Sequence, residues 1–130
     1  KYIFGICVGM QLLFEKSEET KNAKGLGFIK GSFEMFNSKN NLPIPHMGFN
    51  EVSHNKTAIW NGIKNHSPFY FVHSYRVASI QDKSLTSKTT YGEEFISFIE
   101  NDNVFGSQFH PEKSHNSGLK LLKNFIELKN

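Results

Sequence analysis

The sequence holds one cysteine, Cys7, set in Gly5-Ile6-Cys7-Val8-Gly9. Glycine, nucleophile and glycine at that spacing is the pattern of a nucleophile elbow, here with cysteine in the place of serine. A strand that turns sharply into a helix holds its nucleophile in a strained backbone conformation. Side chains two residues to either side would collide, so the pattern predicts that both Gly5 and Gly9 are needed for space. The turn would also set Cys7 at a helix N-terminus, where the helix dipole favours a thiolate. The backbone N–H of Val8 would then point at a developing oxyanion. Taken alone, the five residues are a weak signal and fit a buried structural cysteine between packing glycines better. The flanks favour the elbow, because 1–6 reads as a strand and 8–16 as a helix.

A cysteine nucleophile needs a base, and the base needs an acceptor to orient it. Six histidines are available, at 46, 54, 66, 73, 110 and 115. His110 is the best placed, at the end of a predicted strand in Gln108-Phe109-His110-Pro111-Glu112. Active sites of α/β sheets gather at strand ends. Pro111 forces His110 into an extended conformation. Glu112, two residues on, can reach one ring nitrogen and leave the other facing the thiol, and a direct hydrogen bond between thiol and imidazole is the expectation. His73 lies in an apolar strand and reads as a hydrogen-bonded core histidine. The scattered histidines and lone cysteine show no ligand spacing, so no metal is expected.

The elements that must position these groups alternate between strand and helix, with an antiparallel stretch in the middle, which is an α/β pattern. In the 8–16 helix Met10, Leu12, Leu13 and Phe14 are available for packing. A polar loop follows at 17–25, then a half-buried strand at 27–36 with Phe33 and Met35 alternating against Ser32 and Glu34. Residues 37–45 read as a loop, since Pro43 and Pro45 bar a central strand. Further strands are predicted at 47–53, 69–78, 86–91, 95–100 and 104–109. The run Phe69-Tyr70-Phe71-Val72 is apolar on both faces, which suggests an inner strand. The last element, 118–128, reads as an amphipathic helix capped by Ser117. Its expected apolar face comprises Leu119, Leu122 and Ile126 beside Leu121 and Phe125.

Composition narrows the class. At 130 residues there is room for one modest domain, and 13 phenylalanines supply the bulk for its core. The net charge of +3 comes from 15 basic against 12 acidic residues spread along the chain. No basic face interleaves with aromatics, so nucleic-acid binding has little support. One cysteine permits no internal disulfide, which suits a reducing cytoplasm. The apolar run 2–14 is too short to span a bilayer and no small-residue cleavage site follows it, so no membrane association is expected. The chain opens on Lys1 directly into strand-like sequence. Further sheet upstream is therefore expected, with 1–130 a partial domain.

The elbow, Gln11 and the downstream His-Pro-Glu together resemble the class I glutamine amidotransferases. Four segments narrow the likeness to the glutaminase subunits of imidazole glycerol phosphate synthases. They are residues 5–14 (GICVGMQLLF), 45–50 (PHMGFN), 70–75 (YFVHSY) and 105–114 (FGSQFHPEKS). The resemblance implies a central mixed sheet flanked by helices, with the N-terminal part of the fold missing here. It implies that Cys7 attacks the side-chain amide of glutamine while His110, oriented by Glu112, moves the proton. No cofactor is implied. Gln11 and Glu19 match positions that hold the amino-acid end of glutamine, and the backbone at Ser74 and Tyr75 another part of that site. Ammonia would pass to a (β/α)8-barrel cyclase subunit, the two forming a heterodimer in the cytoplasm. Lys113 and the 45–50 segment, with Met47 and Asn50, would face that partner.

Two departures stand out. Phe49 replaces the family's usual Trp, which keeps an aromatic surface and loses an N–H donor. The family's Pro-Gly-x-Gly loop, the other oxyanion donor, lies upstream of this sequence. Losing one such donor costs ~100- to 1000-fold in rate, so these residues alone are expected to be inactive. Alternative readings stay open at this point. They are a paralogue supplying ammonia for amination of a surface sugar, a non-catalytic interaction subunit that keeps the fold, and a peptidase of similar elbow geometry.

Overall fold

The computed structural model describes residues 1–20, 23–37, 41–81 and 83–128. Residues 21 and 22 of the 17–25 segment and 38–40 of the 37–45 loop therefore lie outside the described residues. In chain order the elements are β1 (Ile3–Ile6), α1 (Val8–Leu13), β2 (Phe14–Ser17), β3 (Ile29–Met35), β4 (His46–Val52), β5 (Ser67–His73), β6 (Tyr75–Ile80), β7 (Leu85–Tyr91), β8 (Glu93–Asn101), β9 (Val104–Ser107) and α2 (His115–Ile126). Single 3-10 turns cover Glu18–Thr20, Ala58–Trp60 and Pro111–Lys113.

Among the described residues the strands form three sheets, with both parallel and antiparallel pairs as expected of a mixed α/β fold. The largest has the order β1-β9-β8-β7, with β1 parallel to β9 and the other pairs antiparallel. A second has the order β2-β3-β6, and β4 with β5 forms a hairpin. Bridges Ser53 to Lys88 and Tyr70 to His110 stitch that hairpin to β7 and to the segment after β9. β5 is thus flanked on both sides, though its burial alternates, with Phe69, Phe71 and His73 inward.

Several boundaries move for identifiable reasons. The helix predicted over 8–16 ends at Leu13. Phe14 adopts φ −84° and ψ 169° and starts β2, which pairs with β3 through Phe14 and Ile29. Burial of Phe14 edge-on against Phe33, centroids 4.8 Å apart, outweighs continuation of the helix. Leu12 lies outside that packing and is exposed, as is Met35. The single strand predicted over 69–78 is two strands in different sheets, broken at Ser74. α2 starts at His115 and is preceded by Ser114 at its cap position, so Ser117 sits inside the helix. Its buried residues are Gly118, Leu121 and Asn124, while Leu119 and Ile126 are exposed. Asn124 donates to the carbonyls of Ile59 and Asn61, which turns that polar position inward.

An aromatic wall supports the end of β9. Phe69, Phe71, Phe98, Phe109 and Trp60 are all 2% exposed or less. Phe109 lies 4.4 Å from Phe69 and 6.1 Å from Phe98, centroid to centroid. Each such ring contributes ~1.5–3 kcal/mol by leaving water, and the rings interlock so that none moves alone. Phe109 immediately precedes His110, so the wall fixes where the backbone of that histidine begins.

Candidate active site

Cys7 stands between β1 and α1 at φ 55° and ψ −107°. A non-glycine residue there carries ~1–3 kcal/mol of strain, the condition the elbow requires. Its N–H donates to the Ser107 carbonyl at 2.7 Å, and its carbonyl accepts from Gln11 N at 3.2 Å. Gly5 is needed for space, because a Cβ there would lie 2.5 Å from the Gly9 carbonyl oxygen. Gly9 is not, since a Cβ there would meet nothing within 4 Å. The collision predicted for both glycines is one-sided, because Gly5 faces the α1 backbone and Gly9 faces open space.

β9 ends at Ser107, the residue that anchors Cys7, and His110 follows three positions later. His110 N donates to the Tyr70 carbonyl at 2.9 Å. The Ser114 hydroxyl donates to the His110 carbonyl at 2.6 Å and accepts from Tyr70 N at 2.9 Å. His110 is extended at φ −102° and ψ 98°, as Pro111 demands. Its Nδ1 lies 2.8 Å from Glu112 Oε2, with the imidazole 18% exposed and the carboxylate 46%. α2 crosses close behind: a Cβ on Gly118 would fall 1.8 Å from the Pro111 carbonyl oxygen.

The thiol meets β5 and the segment after β9. Cys7 Sγ donates to the Val72 carbonyl at 3.8 Å and accepts from Gln108 Nε2 at 3.9 Å. The expected hydrogen bond to His110 is not formed, because the sulfur is turned to these two partners. Catalytic hydrogen bonds are often loose before substrate is bound. Sequence reasoning missed Gln108, which is fully buried with its Oε1 unpartnered. The signal available was its place two residues before His110, inside the strand-end motif.

The thiol is also not the thiolate that a helix terminus would favour. Burial pushes it above its ordinary value, and the negative charges of Glu19 and Glu112 push the same way. The Val8 N–H and the Gln108 amide oppose this and do not prevail. The six-residue α1 supplies a short dipole against that desolvation.

Around the thiol the other expected residues divide. Val8, Gln11, Ser17 and Glu19 line one small cleft of about 90 Å³. The Ser17 hydroxyl donates to Gln11 Oε1 at 3.3 Å and accepts from Glu19 N at 3.2 Å, tying those positions together. Ser74 and Tyr75 lie at the β5–β6 break, two and three residues beyond Val72. The Ser74 carbonyl accepts from Phe36 N and the Tyr75 carbonyl from His73 Nδ1. From His46 onward the 45–50 segment is strand β4, in line with the strand predicted over 47–53, and Met47 is 61% exposed. Asn50 is half-buried and held by His46. Lys113 is exposed in the turn after Pro111. Phe49 pairs with Tyr70 across the hairpin and stacks on His115 at 5.3 Å. Among the described residues no three His, Cys, Asp or Glu side chains are arranged to hold a metal ion.

A strained cysteine after a short strand and a His-Glu pair beyond the end of the neighbouring strand thus stand at the same end of the β1–β9 pair. The chain matches the family described as glutamine amidotransferase class-I over residues 1–128, and it belongs to that family. It is 54% identical over 125 residues to the imidazole glycerol phosphate synthase subunit HisH of Methanocaldococcus jannaschii, covering 95% of this chain and 62% of that one. It is 49% identical over 129 residues to subunit HisH 1 of Campylobacter jejuni, covering 98% and 64%. The chain thus spans somewhat under two thirds of the length of these relatives. Among solved structures, one of a GMP synthase component from Thermoplasma acidophilum superposes with TM-score 0.70 at 20% identity, over 96% of this chain and 55% of that one. A further glutamine amidotransferase superposes at 0.67 and 16%, over 96% and 61%. At those identities the two structures speak for the fold alone. No helix among the described residues is long and apolar enough to cross a membrane.

Proposed function

We propose that the protein to which this chain belongs hydrolyses glutamine to glutamate and ammonia as the glutaminase subunit of an imidazole glycerol phosphate synthase. Cys7 Sγ attacks the side-chain amide carbon. His110 takes the thiol proton and returns it to the departing ammonia, and water then releases glutamate from the thioester. The Val8 N–H supplies one oxyanion donor. Gln11 and Glu19 hold the ammonium and carboxylate end of glutamine, helped by the backbone at Ser74 and Tyr75. Ammonia then passes, out of contact with water that would protonate it, to a (β/α)8-barrel cyclase subunit. Met47, Asn50 and Lys113 face that subunit, and exposed Phe49 stacked on His115 adds apolar surface beside them.

The observation that carries this reading is the pairing of His110 Nδ1 with Glu112 at 2.8 Å, three residues beyond the carbonyl that anchors the strained Cys7. The pair leaves Nε2 as the ring nitrogen available for proton transfer. Support at the level of pathway is the 54% likeness to a HisH subunit.

Glutamate release by the full-length protein with its cyclase subunit tests the reading. Cys7→Ala and His110→Ala should each lose ~1000-fold or more. Undiminished turnover in Cys7→Ala would refute the mechanism. Stimulation only by a sugar-modifying synthase would refute the histidine-pathway assignment.

A further inference from the structure

Two imidazoles sit where the aromatic core alone would be cheaper to build. His46 and His73 are 0% and 5% exposed and face each other in register across the β4–β5 hairpin. Rings of Tyr91 and Phe71 stack on His46 at 3.9 and 4.9 Å, and Phe36 and Phe95 pack on His73 at 5.0 and 5.3 Å. His46 Nδ1 lies 2.9 Å from His73 Nε2, His73 Nδ1 lies 2.9 Å from the Tyr75 carbonyl, and His46 Nε2 lies 2.7 Å from the atom placed as Asn50 Oδ1.

These contacts admit one proton arrangement for neutral rings. A carbonyl only accepts, so His73 Nδ1 carries its proton and His73 Nε2 is bare. His46 Nδ1 must then be the donor between the rings, which leaves His46 Nε2 bare. The Asn50 amide must present its NH2 to that nitrogen, and the assignment of its oxygen and nitrogen is a choice that the network decides. Burial holds both rings neutral, lowering His46 and bringing His73 down to about 3. Every donor along the chain therefore points the same way, from Asn50 on β4 to Tyr75 at the start of β6.

The relay ends beside the chemistry. His73 follows Val72, whose carbonyl receives the Cys7 thiol, and precedes Ser74 and Tyr75. We propose that His46 and His73 are positioning residues, a one-way hydrogen-bond relay that holds the 72–75 backbone in register with Cys7 and so sets glutamine affinity. This rests on the reading that the Ser74–Tyr75 backbone takes glutamine. Replacing both rings by apolar residues would spare the core a polar network, which suggests that the network serves the site more than stability.

The test uses two substitutions that each keep one end of the relay. In His73→Asn the amide NH2 occupies the place of Nδ1 and still donates to the Tyr75 carbonyl. In His73→Gln the amide reaches the place of Nε2, keeps His46 and loses Tyr75. In the full-length protein with its cyclase subunit, His73→Gln should raise KM for glutamine about tenfold or more with kcat within about threefold, while His73→Asn, which loses His46 and keeps the Tyr75 contact, should raise it by a smaller factor of about threefold. Equal KM values for the two variants overturn the relay. A variant that does not fold is bypassed by 15N NMR of the wild-type imidazoles, where both rings should carry their proton on Nδ1 at neutral pH. An Nε2-protonated or doubly protonated ring at either position overturns the proposal. Absence of any glutamine hydrolysis by the wild type removes both the functional reading and the relay's role, whereas active enzyme with equal variants removes the relay alone.

Discussion

Acidification should destabilise this fold through His73 more than through any exposed group, and the size of the effect follows from its burial. The ring titrates at about 3 in the folded protein, against an ordinary 6.5, because desolvation outweighs its hydrogen bond to Tyr75. Between those values the unfolded chain binds a proton that the folded chain refuses. The contribution is therefore fully present above pH 6.5 and is lost progressively as pH falls toward 3. From pH 7 to pH 5 the loss is ~2 kcal/mol. That figure barely depends on the folded value, because pH 5 lies well above it and the unfolded ring alone sets the difference. Urea unfolding of wild type and His73→Asn at the two pH values measures it. With a slope of ~1–3 kcal/mol per M, the wild-type midpoint should fall by roughly 0.7–2 M more than that of the variant. His54 shifts in the same direction and is common to both proteins, so the difference reports His73 together with its hydrogen-bond partner His46. A variant that loses as much stability as wild type would refute the premise that the ring is buried neutral.

Gly5→Ala should cost ~1–3 kcal/mol or more and reduce soluble yield, because its Cβ meets the Gly9 backbone at 2.5 Å, whereas Gly9→Ala should unfold at nearly the wild-type temperature. Thermal unfolding of the pair decides it, and equal losses would show that the elbow is drawn wrongly. Alkylation of Cys7 by iodoacetamide should rise with pH through a midpoint above the ordinary thiol value, and Glu19→Gln should lower that midpoint by removing a negative charge that disfavours the thiolate. A midpoint unchanged or raised by Glu19→Gln would exclude the electrostatic coupling.

Motifs with local geometry were the legible part of the sequence. The elbow at Cys7 was legible from five residues read together with the strand-like and helix-like runs beside them, and the strain shows directly in its positive φ. The strand-end histidine was legible because Pro111 and Glu112 act on His110 from the next two positions. What could not be read depends on partners distant in sequence. The helix over 8–16 fails at Phe14 because Ile29 and Phe33 capture that residue. The strand over 69–78 breaks at Ser74 because Tyr75 pairs with Met35 in a different sheet. The face of α2 was misjudged because Asn124 finds two carbonyls near Trp60, and no periodicity in apolar residues reveals such an acceptor. Gln108 was overlooked for a similar reason, since its contact with Cys7 joins residues 101 positions apart.

The direction of the thiol shift bears on how such a site rests. A cysteine at a helix start is commonly read as poised, yet here the Cys7 thiol is half-buried, hydrogen-bonded as donor to Val72 and disfavoured as a thiolate by the charges of Glu19 and Glu112. Each of those features favours the protonated form, and a protonated thiol reacts slowly with water-borne electrophiles. The base is meanwhile locked by backbone contacts to Tyr70 and Ser114 and by an aromatic wall behind Phe109. Cys7 and His110 thus sit on rigid supports with no hydrogen bond between their side chains, and in the proposed mechanism a change at the Cys7 side chain disturbs less of the frame than a shift of His110. Rotation about one Cα–Cβ bond is a sub-microsecond event, whereas displacing His110 would disturb β5, β9 and α2 together.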